Sequence, residues 1–134
     1  MIDIENAVFQ AVATAFRAAY PDGFIAGEYV AQPAKFPAVS VVEMDNSVYQ
    51  RGVDSGAIEN FATVMYQVDI YSNKSTGKKA QCKEIAALID EQLAELGFTR
   101  TFMNPVQNLS DATIYRMTGR YRGVVSKDQT IYGR

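Results

Sequence analysis

The sequence predicts an α+β fold: an antiparallel or mixed β-sheet with two helices packed on one face. Three observations predict it. Residues 60–72 alternate apolar and polar side chains, as a half-buried strand does. Two segments, 3–20 and 77–96, carry apolar residues at three- and four-residue steps. The remaining strand-like segments are joined by short connections, which favour antiparallel or mixed pairing over an all-parallel sheet.

The elements follow in order. In 3–20, Ile4, Val8, Val12, Phe16 and Ala19 form one apolar face, and Asp3 and Glu5 sit at the end where the helix dipole favours negative charge. Tyr20-Pro21-Asp22-Gly23 supplies turn chemistry. Strands are predicted at about 24–31 and 38–45, with Pro33 and Pro37 bracketing their connection. Residues 46–59, polar and containing Gly52 and Gly56, read as a long loop. In 60–72, Ala62, Val64, Tyr66, Val68 and Ile70 share one face, and Thr63, Gln67 and Asp69 the other. Ser75 or Thr76 is the expected N-cap of the helix at 77–96, whose stripe is Ile85, Leu88, Ile89, Leu93 and Leu96. Gly97 suits a left-handed C-terminal residue, with Phe98 packing back on Leu93. A strand at 98–103, a loop through Asn104-Pro105 to about 111, and a long strand at 112–126 complete the order α-β-β-β-α-β-β. A short final strand at 130–133 can pair back across Lys127-Asp128-Gln129.

Length and composition set the limits. A chain of 134 residues fits a single domain, 1–134, and buries enough surface to need no disulfide or metal staple. There is no histidine and one cysteine, which excludes imidazole metal sites, His-based triads and Cys-rich zinc sites. The net charge of −2 excludes a strongly basic nucleic-acid coat. The N-terminus lacks the basic start and apolar core of a signal peptide, and no apolar run approaches the ~20 residues of a membrane span, so the expected site of synthesis and folding is the cytoplasm. Charge is uneven: residues 1–97 hold 7 basic and 13 acidic side chains, and residues 98–134 hold 6 and 2. Such asymmetry suits ordered contact between identical subunits.

Few residues carry recognisable chemistry. Ser72 to Lys79 has a phosphate-loop outline, but the required upstream glycine is Ser72 and the metal-binding hydroxyl is Lys79, so it reads as a basic turn and helix start. Glu43 and Asp45, two apart, would share a strand face and invite an acid–base or divalent-metal reading, against that of a solvated strand end. Glu91 and Glu95 read as a solvated pair, and Cys82, in line with Ile85 and Ile89, as a buried apolar residue. Arg116, Arg120 and Arg122 alternate with Thr118 on one strand face, opposite Tyr115, Met117, Gly119, Tyr121 and Val125. Such a row can pair with carboxylates on other strands, Asp69 and Glu43 among them, meet another subunit, or bind nucleic-acid phosphate. The basic turn residues Lys74, Lys78 and Lys79 are the other cationic candidates.

A resemblance enters at three segments. Tyr66-Gln67-Val68-Asp69-Ile70-Tyr71-Ser72-Asn73 leads into the basic turn Gly77-Lys78-Lys79-Ala80. The helix then ends in Leu88-Ile89-Asp90 and Leu93-Ala94-Glu95-Leu96-Gly97-Phe98. With Tyr115-Arg116-Met117-Thr118-Gly119-Arg120-Tyr121-Arg122-Gly123, this resembles the tail terminator proteins of long-tailed bacteriophages, also called tail-completion or tail-to-head joining proteins. The resemblance spans most of the chain and is densest over 60–126. It implies a non-enzymatic virion protein without cofactor or metal, forming a homo-oligomeric ring, a hexamer, at the neck. That ring would cap the tail tube protein, dock the head connector or stopper, and let DNA pass without specific binding or any membrane contact. Other neck, head-closure or minor capsid proteins, and a small nucleic-acid-binding module built on the arginine row, are the alternatives.

Overall fold

A computed structural model of the chain describes residues 1–49, 60–107 and 111–132. The elements are α1 (Glu5–Ala19), β1 (Phe24–Ala26), β2 (Ala38–Val48), β3 (Phe61–Ser72), α2 (Lys78–Leu96), β4 (Thr99–Val106), β5 (Tyr115–Ser126) and β6 (Ile131–Tyr132). They build a mixed six-stranded sheet in the order β1-β2-β3-β5-β4, with β6 also on β5. Among the described residues, the β1–β2 pair is parallel and the other pairs are antiparallel. The predicted α+β class, element order and terminal strand are all present.

The alternation in β3 decides the layering. Ala62, Val64, Tyr66, Val68 and Ile70 are all buried, and they share one core with Val8, Val12 and Phe16 of α1 and Cys82, Ile85, Ile89 and Leu93 of α2. Both helices therefore cover the same face. Val12, Phe16, Ile85 and Ile89 are wholly buried, each contributing about 1.5–3 kcal/mol by leaving water. Ala19, expected on the apolar face, is exposed, and Ala13 is buried instead. By periodicity Ala19 stays about 20° from Val12 on the same side; it is the last residue of α1 and is exposed there.

Several boundaries differ from the sequence reading. The strand expected at 24–31 stops at Ala26, because β1 runs parallel to β2 and residues 27–37 must carry the chain back along the sheet. β2 runs on to Val48, into the segment expected to be loop, with Ser47 and Val48 opposite Thr63 and Ala62. The rest of that predicted loop, 50–59, lies outside the described residues. β4 continues through Asn104 and Pro105 to Val106, where a loop was expected. Pro105 is tolerated because β4 is at the sheet's edge and its missing N–H deprives no further strand. The remainder of that loop includes residues 108–110, outside the described residues. β5 starts at Tyr115 rather than 112, since Asp111 first closes a turn by accepting bonds from the Thr113 amide at 2.9 Å and hydroxyl at 2.6 Å.

The ends of α2 are instructive. Neither Ser75 nor Thr76 caps it. Its N-cap is Gly77, in the left-handed region at φ 80°, with no side-chain cap bond. Its C-terminus is the predicted glycine motif. Gly97 has φ 106°, its amide donates to Ala94 O at 3.0 Å, and the Phe98 amide donates to Leu93 O at 3.0 Å. The charges of α2 oppose its dipole: Lys78 and Lys79 occupy the first turn and Glu95 the last. Each such placement costs about 0.3–1 kcal/mol.

Gly97 is also pressed from outside, since a Cβ there would lie 2.8 Å from the Ile131 carbonyl oxygen of β6. Gly97→Ala should destabilise by ~1–2 kcal/mol, from the left-handed strain and this backbone clash together. Urea unfolding measures it, and a loss of only a few tenths would contradict the packing of β6 on the C-cap.

The arginine strand and neighbouring candidate sites

The register of β3 against β5 fixes where the arginines point. Asp69 lies opposite Thr118, Gln67 opposite Arg120 and Met65 opposite Arg122. These residues occupy the face away from the helices. Asp69 is nonetheless 1 % exposed. A carboxylate that far from water needs full compensation, and it has it. Oδ1 accepts from Arg116 Nε at 3.1 Å, Arg116 Nη2 at 2.8 Å and the Thr118 hydroxyl at 2.6 Å, and Oδ2 accepts from Gln67 Nε2 at 3.0 Å. Burial works against the Arg116 charge, but the hydrogen bond and charge of Asp69 outweigh it and raise the guanidinium's pKa. Arg116 also lies over the Tyr71 ring, 5.5 Å from its centroid. The Tyr71 hydroxyl donates to Val30 O at 3.2 Å, tying the 27–37 crossover to this face. Burial and then the Asp69 charge push that phenol up to about 12.

The row thus divides into three different residues. Arg116 is consumed by Asp69. Arg120 donates from Nε to Gln67 Oε1 at 3.0 Å and sits 5.9 Å from the Phe102 ring centroid. Arg122 is exposed and pairs with no carboxylate among the described residues. Of the cations in the basic turn, Lys74 and Lys79 are exposed, whereas Lys78 Nζ donates to the Thr113 carbonyl at 3.2 Å. The structure does not gather Lys74, Lys78 and Lys79 with the arginines into one contact network.

Glu43 and Asp45 do not share a face. A register break between them puts Glu43 opposite Tyr66 and Asp45 opposite Met65, so Met44 is the extra residue of a β-bulge. Glu43 thereby comes to the helix side, accepting a bond from the Tyr66 hydroxyl at 3.0 Å, and is no partner for the arginines. Asp45 accepts from the Ser47 hydroxyl at 3.4 Å on the other side. Among the described residues no group of three or more acidic or thiol side chains is placed to hold a metal ion. Cys82 is fully buried, and burial pushes its thiol up to about 12, so it is an apolar core residue as its spacing indicated.

The sequence reading named Asp69 only as one partner among others and missed Asp90. That carboxylate accepts from the Tyr121 hydroxyl at 2.8 Å and Arg100 at 3.2 Å, joining α2 to β5 and β4. No local pattern announces a pairing between residues 31 apart.

Two predictions follow from these geometries. Asp69→Ala should cost about 3–5 kcal/mol, because it strands Arg116 and Thr118, whereas Arg122→Ala should change stability by less than ~0.5 kcal/mol. Chemical denaturation of both variants checks the contrast. For Glu43, burial and then the nearby Glu5 and Asp3 raise the pKa, against the bond from Tyr66. A carboxyl with a raised folded pKa stabilises in acid, and that contribution is lost as pH climbs through the folded value. Glu43→Gln, which keeps an acceptor for Tyr66, should therefore remove a downward step in melting temperature between acid and neutral pH. An unchanged profile would contradict the assignment.

With this geometry in place, the comparison with known proteins is decisive at family level. No curated protein matches the chain significantly. The family described as Tail completion protein gp17 matches residues 6–132, from the first turn of α1 to the end of β6. The match covers almost the entire chain, including both helices and all six strands, and the chain belongs to this family of phage tail completion proteins.

Proposed function

We propose that the protein forms a ring, a hexamer, that caps the phage tail tube, stops its growth and joins it to the head connector. The observation that carries this reading is the family match over residues 6–132. The role is structural, and no reaction, cofactor or metal belongs to it. A closed ring of identical subunits needs a heterologous interface, with two different surfaces meeting around the circle. The acidic balance of residues 1–97 and the basic balance of 98–134 offer the opposite charges that such an interface can use. Of the six candidate cations, Arg122, Lys74 and Lys79 are exposed, and Arg122 and Lys74 are proposed as subunit-facing or lumen-facing contacts.

The geometry favours passage of DNA over a grip on it. Phosphate binding is built from free cations, each adding to the salt dependence. Arg116 is neutralised by Asp69, and Arg120 is engaged with Gln67 and Phe102. One free arginine on that strand face makes a weak phosphate site.

Deletion of the gene from its source genome tests the reading. Electron microscopy should show filled heads without tails beside free tails of irregular or excessive length. Tails of normal length that fail to attach would move the role to the head side of the neck, and normal infectious particles would overturn it.

A further inference from the structure

The outer face of α2 carries a charge pattern that the monomer does not explain. Lys79, Lys83, Ala87, Glu91 and Glu95 follow one another at four-residue steps and are all exposed. The two lysines are neighbours on the helix, as are the two glutamates, so each pair repels itself. The pattern also opposes the helix dipole at both ends. A favourable arrangement of the same residues, with glutamates first and lysines last, was available. None of these four side chains makes an ion pair among the described residues.

The pattern reads plus, plus, neutral, minus, minus, and is reversed in sign about Ala87. A second copy of the helix laid antiparallel across it places Lys83 beside Glu91 and Lys79 beside Glu95, twice each. At 100° per residue, Lys83 and Glu91 fall about 40° to either side of Ala87. Ala80, Ala87 and Ala94, all exposed, run down the middle of this face and let the two helices approach. The other acids flanking the face are already engaged: Asp90 with Arg100 and Tyr121, and Glu84 with the Tyr20 hydroxyl at 3.3 Å.

We propose that this face of α2 is a two-fold contact with a second copy of the chain, antiparallel and centred on Ala87. The inference goes beyond the ring. In a six-fold ring the two-fold operation lies along the ring axis and relates subunits on opposite sides of the lumen, not touching neighbours, so the contact pairs subunits outside any one ring. Its attraction is between exposed charges, which salt screens.

Sedimentation equilibrium of the full chain at low and at molar salt tests it. The expected result is a two-subunit species at low salt that dissociates at high salt. Lys83→Glu sets like charges against each other twice and should weaken pairing roughly tenfold or more. The double variant Lys83→Glu/Glu91→Lys restores the reversed pattern and should restore pairing. Circular dichroism confirms that each variant keeps its helices. A chain that is monomeric at every salt concentration overturns the proposal. So does a dimer indifferent to Lys83→Glu, a double variant that stays dissociated, or a ring that forms with no two-subunit species. The last outcome would leave the ring reading standing, and the gene deletion tests that reading separately.

Discussion

The pairing of β3 with β5 is the constraint on which the remaining architecture depends. Twelve residues of each strand meet in unbroken antiparallel register, from Phe61 opposite Ser126 to Ser72 opposite Tyr115. A slip of one residue would exchange the faces of every side chain. It would turn Met117, Tyr121 and Val125 away from the helices and carry Arg116 into the core. The register is held from both sides. The helices press on one face through the apolar residues of β3, and on the other Asp69 clasps Arg116 and Thr118 across the strands. A buried ion pair is weak evidence for stability in itself. As a device that recognises one register among several, Asp69 has partners that only this alignment brings within reach.

The pattern of periodicities made much of this legible in advance. The five apolar residues of β3 and Ile85, Ile89 and Leu93 of α2 follow from spacing alone, and the glycine C-cap from residue type; of the rest of the expected α2 stripe, Leu88 and Leu96 are only half-buried. The boundaries that differ share a physical cause: they are set by partners distant in sequence. Pro105 belongs to a strand because β4 happens to be an edge. Val48 belongs to one because Ala62 lies opposite it. At the helix start, Ser75 and Thr76 had the right chemistry for a cap, and Gly77 took the place because the chain enters α2 through a left-handed turn.

The candidate residues were legible as types and less so as arrangements. Alternation put Arg116, Arg120 and Arg122 on one face, as found. It could not say that one would be spent on a carboxylate, one shared with an amide and a ring, and one left outward. For Glu43 and Asp45 the alternation rule itself failed, since an inserted Met44 rotates everything after it. A bulge leaves no mark in a single sequence when its extra residue is an ordinary side chain. The family became legible through residues spread along the whole chain, not through any one cluster.

The irregularity at Glu43–Asp45 has a counterpart between Arg100 and Phe102 on the opposite side of the sheet. Among the described residues β2 runs on past the three-residue β1 from Val41, so the irregular part of β2 and the edge strand β4 are the stretches left without an outer neighbour. An unbroken outer strand is a template on which further copies can add, one sheet lengthening into the next without limit. Here the template is spoiled on both sides. On the function proposed above the protein caps a polymer that grows by adding copies of itself, and these two strands withhold from further copies the straight, unpaired edge from which sheet growth begins.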